Sequence, residues 1–150
     1  MLRGIHPLLG PDLLHALGSI GHGAELVIAD ANFPATTLGP RVVRADGIGA
    51  EPLLKAILTH CPLDTFAGAA AWRMEMVDTP EIVPPICHSF QAIIADMAGP
   101  FTVEPLERFA FYERASKAAF IVATGEQALY ANLILKKGVL TPEETARFAW

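Results

Sequence analysis

Cysteine is scarce: the chain of 150 residues has two, Cys61 and Cys87, and they form no CxxC pair. In a chain expected in the cytoplasm, two such cysteines read as small buried hydrophobes before they read as a disulfide or metal pair. Long apolar runs are missing as well. Pro, Gly, His or a charge interrupts each one well short of the ~20 residues a spanning helix needs, which excludes membrane insertion. The opening stretch MLRGIHPLLGPDLLHALG carries prolines, histidines and Asp12 where a secretory signal would have an unbroken apolar segment, so the cytoplasm is the expected compartment. Charge is sparse at 18%, with a net value of -5 and no basic stripe, which argues against a nucleic-acid partner.

Familiar chemical signatures are absent too. There is no GxxxxGK[ST] phosphate loop, no HExxH zinc helix and no GxSxG nucleophile elbow. The glycines of GSIGHG fall between a helical and a strand pattern, the reverse of the strand-to-helix setting of a dinucleotide fingerprint. His6, His15, His60 and His88 lack the short spacing of metal ligands and suit surface or cap roles.

What is present is apolar. The chain is 52% hydrophobic, and a domain of this size has much surface per unit volume. The excess apolar residues need cover from another subunit, which predicts a homo-oligomer. No linker, repeat or low-complexity segment divides the chain, so one domain is expected from 1 to 150. Helical and strand patterns alternate along it. Pro11 opens a short amphipathic helix with Leu13, Leu14, Leu17 and Ile20, which Gly21 and Gly23 terminate. ELVIAD reads as a strand, with Leu26 and Ile28 on one face and Val27 and Ala29 on the other, apolar on both sides as in a covered sheet. RVVRA (Arg41 to Ala45), AAAWRMEMV (Ala69 to Val77), FTVEPL, AAFIVATG and NLILKKGV supply further extended segments. Helices are predicted around Leu53 to Leu58, from Ile86 to Met97, and over ERFAFYERASKA. Thr141 and Glu144 form a capping box for a terminal turn. Strands interleaved with helices predict a layered α/β domain with a mixed, largely buried sheet.

Two polar groups interrupt this pattern in GHGAELVIADANFP. His22 precedes the apolar strand and Asp30 ends it, and seven extended residues between them cover more than 20 Å at ~3.3 Å each. They share a site only if the turn at Gly21 to Gly23 folds back or a neighbouring subunit completes it. The bland alternative is that His22 caps the preceding helix and Asp30 holds the following turn. A second cluster follows: Arg108 and Tyr112 are four apart on one helical face, with Glu113 beside them. Tyr130 and Asn132 lie between two apolar segments, with Glu126 upstream. Guanidinium, hydroxyl, amide and carboxylate together are the donors and acceptors a polyhydroxylated ligand requires. Arg108 and Glu113 as a solvated ion pair, and Tyr112 as a core ring, remain open alternatives.

GHGAELVIADANFPA, RADG, RFAFYERA and TGE…YANLILKKGV, in this order and spacing, resemble the L-fucose mutarotase family, within the wider group that includes D-ribose pyranase. The likeness runs from about Ile5 to Val139, and RFAFYERA with the HP-x-L opening is nearer the fucose branch. It implies a ribose-pyranase-type fold, ring-shaped homo-oligomers, commonly decamers, and active sites between adjacent subunits. It further implies His22 as proton donor, Asp30 and Arg108 as sugar contacts, and Tyr130-Ala131-Asn132 as the C-terminal binding segment. Ala131 stands where fucose members often have Gly, and the segment from Asp78 to Glu104, with Pro84-Pro85, departs from the family pattern. The implied reaction is interconversion of α and β pyranose anomers without a cofactor. Histidine suits it, because an unperturbed imidazole titrates near ~6.5 and offers both protonation states around neutrality. A non-catalytic monosaccharide binder that assists uptake is the rival reading, and a structural ring without ligand is the third. The last residues, PEETARFAW, carry no assigned function.

Overall fold

The computed structural model describes residues 2–66 and 68–147. In chain order these residues form α1 (Pro11–Ser19), β1 (Glu25–Ala29), a 3-10 turn (Ala35–Thr37), β2 (Arg41–Ala45), α2 (Ala50–Leu58), β3 (Ala71–Met74), α3 (Pro85–Met97), β4 (Val103–Leu106), α4 (Arg108–Ala115), β5 (Phe120–Thr124), β6 (Leu133–Lys136) and α5 (Pro142–Thr145). The six strands make one mixed sheet in the order β2-β5-β1-β6-β3-β4. β5 is parallel to both β1 and β2, and β3 is parallel to β4. β6 alone runs against its two neighbours, pairing Leu133 with Ile28 of β1 and with Arg73 of β3.

Burial on both faces explains the unbroken apolar strands. Leu26, Ile28, Val43, Phe120, Val122, Leu133 and Leu135 pack against Leu13, Leu53, Leu54, Ile57, Phe90 and Ile94 of α1, α2 and α3. Val27, Ala29, Ile121, Ala123, Ile134 and Trp72 meet Phe111 and Ala115 of α4, together with Ala35 of the 3-10 turn and Phe33. Each fully buried large side chain here contributes about 1.5–3 kcal/mol. β1 and β5 tolerate no polar residue between their ends for this reason.

The strand expected over Ala69 to Val77 is shorter. It stops at Met74, and after Glu75 bonds Leu106 the chain turns away: Asp78 takes a φ of 64° and the Val77 amide goes to the Tyr130 hydroxyl at 3.3 Å. The capping box at Thr141 and Glu144 is present and starts α5. Residues 148–150 of the PEETARFAW tail lie outside the described residues.

Sheet direction places the polar groups. β1, β3, β4 and β5 end, and β6 begins, at one edge, so Asp30, Arg108, Thr124 and Asn132 emerge together there. His22 precedes β1 and therefore stands at the opposite edge, beside the end of β6.

Candidate functional site

At the first edge Asp30 and Asn132 clasp each other. The Asn132 amide nitrogen donates to Oδ2 of Asp30 at 2.8 Å, and the Asp30 backbone N–H donates to Oδ1 of Asn132 at 3.0 Å. The Asn32 amide donates to the other Asp30 oxygen at 2.9 Å, so Asp30 also holds the turn that follows it. Both side chains are buried, and each carboxylate oxygen keeps acceptor capacity beyond these bonds. Thr124 is fixed next door, its hydroxyl donating to the Ala29 carbonyl at 2.8 Å. Asp30, Phe33, Thr36, Arg44 and Thr124 line a cavity of about 80 Å³. That is smaller than the several hundred cubic ångströms of ordinary ligand pockets.

Tyr130 approaches this edge in the left-handed backbone region, φ 60°, a conformation that a residue with a Cβ adopts only when its surroundings compensate. Its hydroxyl accepts from Val77 at 3.3 Å and its carbonyl accepts from the Cys87 thiol at 3.7 Å. Ala131 is fully buried against the α3 side. Arg108 begins α4 immediately after β4, with its guanidinium 4.7 Å from the Phe109 ring and its Nε buried without a hydrogen-bond partner. Tyr112 packs on Phe33 at 5.5 Å between ring centroids, which links α4 to the Asp30 turn. Glu113 points elsewhere: it pairs with Lys117 at 2.7 Å on the exposed side of α4, a bond that holds its carboxyl below the usual range. Glu126 accepts from the Ala50 amide at 3.1 Å, capping the start of α2 in place of Gly49, which has no side chain to do so, and from the Ala128 amide at 3.0 Å.

The opposite edge carries His22 and a residue that local sequence patterns do not reveal. Nε2 of His22 lies 3.1 Å from Oδ1 of Asp64, a carboxylate with 2% exposure, while the imidazole itself is half-exposed. The Phe66 amide donates to the same oxygen at 2.9 Å, and the Lys136 ammonium lies 3.6 Å from the other. The Phe66 ring stands edge-on to the imidazole at 5.6 Å. The Phe66 amide first, then His22 and Lys136, hold the Asp64 carboxyl below its ordinary range despite burial. No spacing motif joins positions 22 and 64. They meet because Leu63 bridges Lys137 at the end of β6.

The imidazole does not cap α1. Lys137 does, reaching the carbonyls of Leu17 at 3.1 Å and Ile20 at 2.7 Å. Asp64 is the carboxylate within hydrogen-bonding distance of the ring. The two cysteines are buried free thiols, each pushed up to about 11 by burial, so both are protonated and inert. His15, His60 and His88 are exposed, and His6 accepts the Leu8 amide at 3.2 Å. No group of His, Cys, Asp and Glu suited to a metal ion occurs among the described residues.

The RbsD / FucU transport protein family model matches residues 3–140. The chain belongs to this family. It is 47% identical to the fucose mutarotase of Bos taurus over 150 residues, covering 96% of this chain and 97% of that one. The crystal structure of the fucose mutarotase from Streptococcus pneumoniae in complex with L-fucose superposes with a TM-score of 0.88 at 41% identity, covering 93% of this chain and 100% of that one. RbsD from Bacillus subtilis, complexed with D-ribose, shares the fold at a TM-score of 0.75 with 20% identity over 94% of this chain and 100% of that one. Within the family, the chain thus stands with the fucose proteins.

Proposed function

We propose that the protein is a mutarotase that interconverts the α and β anomers of L-fucose or a closely related pyranose. The observation that carries this reading is the His22–Asp64 pair: an imidazole open to solvent on one side and held at 3.1 Å by a buried carboxylate on the other. Such an imidazole is aimed and able to deliver a proton to the sugar ring oxygen. As the anomeric hydroxyl gives its proton to a water molecule, the bond from C1 to the ring oxygen breaks and a carbonyl forms. Rotation about C1–C2 and closure on the other face, with both proton transfers reversed, gives the other anomer. Nothing is consumed. Positioned acid-base catalysis typically contributes about 10²–10⁴-fold, and holding the sugar adds to it.

Asp30, Arg108, Tyr112, Tyr130 and Asn132 bind the sugar in this reading. The Asp30–Asn132 clasp supplies acceptors for hydroxyls, the unpartnered Arg108 Nε supplies a donor, and Ala131 fixes the segment between Tyr130 and Asn132. Glu113, expected as a further sugar contact, would have to leave its pairing with Lys117 to serve as one. His22 and Asp30 bound β1 at opposite edges, roughly 25 Å apart at about 3.3 Å per residue, beyond the span of one pyranose. A ring-shaped homo-oligomer, a decamer in its expected form, brings one chain's His22 edge to the next chain's Asp30 edge. Phe66 at the His22 edge, and Phe109 and Leu129 at the Asp30 edge, are two-thirds exposed or more and are the apolar surface such contacts would cover. The expected compartment is the cytoplasm; no helix among the described residues is long and apolar enough to cross a membrane.

The family's description as transport proteins favours one competing reading, a monosaccharide binder that assists uptake without turnover. Magnetisation-transfer NMR separates the two. With equilibrated L-fucose, irradiating the α-anomer H1 attenuates the β-anomer H1 when the wild-type protein is present, and His22→Ala abolishes the effect while retaining sugar affinity. Sugar binding without exchange in the wild type assigns the binder instead. D-ribose in the same experiment reports the sugar preference.

A further inference from the structure

The His22 edge carries a large apolar side chain to which the proton chemistry assigns no part. Phe66 is 76% exposed, the most exposed of the large hydrophobic side chains among the described residues. The backbone beneath it is nevertheless pinned. Its amide donates at 2.9 Å to Oδ1 of Asp64, the same oxygen that lies 3.1 Å from Nε2 of His22. Imidazole and phenyl ring are thus fixed to one buried carboxylate, and they stand edge-on to each other, 67° between planes and 5.6 Å between centroids. An apolar ring gains its stabilising contacts only when covered. Held open beside the acid, this one is placed to be covered by what the acid acts on.

The connectivity of a pyranose says which part of the sugar the ring meets. A general acid works within about 2.6–3.2 Å of the atom it protonates, here the ring oxygen. That oxygen is bonded to C1 and to C5. C1 bears the hydroxyl that gives up its proton to water, so its flank must stay polar and hydrated, and an apolar ring there would oppose the step. C5 bears the exocyclic substituent, which in L-fucose is a methyl group two bonds from the ring oxygen. With His22 at the ring oxygen, that methyl comes within reach of a phenyl ring 5.6 Å from the imidazole. Methyl against phenyl gains dispersion contacts and sheds apolar surface from water, whereas a hydroxymethyl in the same place gives up hydrogen bonds to water.

We propose that Phe66 is a specificity-determining residue that reads the substituent on C5 of the pyranose, favouring the methyl group of a 6-deoxy sugar over hydrogen or hydroxymethyl. This deepens the mutarotase reading and rests on it, because it requires His22 at the ring oxygen. Where a neighbouring chain closes on the His22 edge, the ring meets the sugar held between the two chains.

Three sugars that differ at C5 alone provide the test. L-fucose carries methyl, D-arabinose in its pyranose form carries hydrogen, and L-galactose carries hydroxymethyl. Anomer-exchange NMR and isothermal titration of the full chain with each sugar are read beside sedimentation velocity, which compares assembly. Wild type is expected to exchange and bind L-fucose in preference to D-arabinose by about tenfold or more, the usual discrimination of a methyl group by an apolar contact. Phe66→Ala is expected to lower the fucose-to-arabinose ratio by about fivefold to tenfold, in exchange and in affinity alike, and Phe66→Leu, which keeps apolar bulk, to fall between. L-galactose should lose least in Phe66→Ala. If Phe66→Ala fails to assemble, the ratio in Phe66→Leu decides in its place. An equal loss for all three sugars assigns Phe66 to subunit contact and overturns the proposal. So does an unchanged ratio, or a wild type indifferent to the methyl group. L-fucose binding without exchange in the wild type overturns the mutarotase reading, and the affinity ratios then decide on Phe66 by themselves.

Discussion

Replacing Asp64 by Asn tests how the imidazole is held. The substitution keeps the side chain's shape, and its carbonyl oxygen can still receive the Phe66 amide now bonded at 2.9 Å. What it removes is the negative charge at 3.1 Å from His22 and 3.6 Å from Lys136. Hydrogen bonds to charged groups are worth about twice neutral ones, and a misoriented acid loses most of its advantage, so anomer exchange should fall about tenfold to a hundredfold. Loss of this kind differs from unfolding in one measurable respect. The ring ¹⁵N shifts of His22 report which nitrogen carries the proton, and they should change in Asp64→Asn while the remaining amide spectrum is retained. Stability has a defined pH signature. The Asp64 carboxyl is lowered in the folded state, so its contribution is complete above the ordinary carboxylate range and is lost as pH falls through the lowered folded value. The stability advantage of wild type over Asp64→Asn should therefore hold near neutrality and vanish in strong acid. Unchanged exchange together with unchanged His22 ring shifts would refute the reasoning.

Asn132→Ala leaves the buried Asp30 carboxylate and backbone amide without their partners at 2.8 and 3.0 Å, and chemical denaturation should record a loss of about 1–3 kcal/mol. Gly138→Ala sets a Cβ against the Leu63 carbonyl oxygen and 3.0 Å from the Asp64 Cα, so the segment carrying Asp64 must move; a lower melting temperature and slower exchange should appear together. Phe120→Ala empties a fully buried position between β1 and β2 and should cost about 3–5 kcal/mol in the same denaturation assay, without altering the sugar contacts directly. Cys61 and Cys87, with thiols pushed up to about 11, should resist iodoacetamide at mildly alkaline pH in the native protein and react after denaturation.

The layered architecture was legible in the sequence wherever both faces of a strand are covered. Leu26 to Ala29 of β1 and Phe120 to Ala123 of β5 admit no polar residue because α1 to α3 occupy one side and α4 the other, and an unbroken apolar run between turn signals records that directly. The capping box at Thr141 was equally local. Ala69 to Val77 misled because its side chains favour strand throughout, whereas the Tyr130 hydroxyl and the turn at Asp78 end the pairing early. On α4, Glu113 is five positions from Arg108 and four from Lys117; helical geometry gives it to the lysine. The partner of His22 was invisible for another reason. Asp64 is 42 positions away, and only the pairing of Leu63 with Lys137 brings it to the imidazole.

In the proposed mutarotase the site is shared between two chains, with His22 from one and the Asp30–Asn132 clasp from the other. Mixing His22→Ala with Asn132→Ala tests it most directly. Each variant alone should be unable to accelerate L-fucose anomer exchange. Equal amounts, unfolded and refolded together so that subunits scramble, should regain about one quarter of wild-type exchange, because a quarter of the contacts then unite an intact His22 edge with an intact Asn132 edge. Scrambled oligomers that remain as inactive as the separate variants would show that the site is not shared between chains in this way.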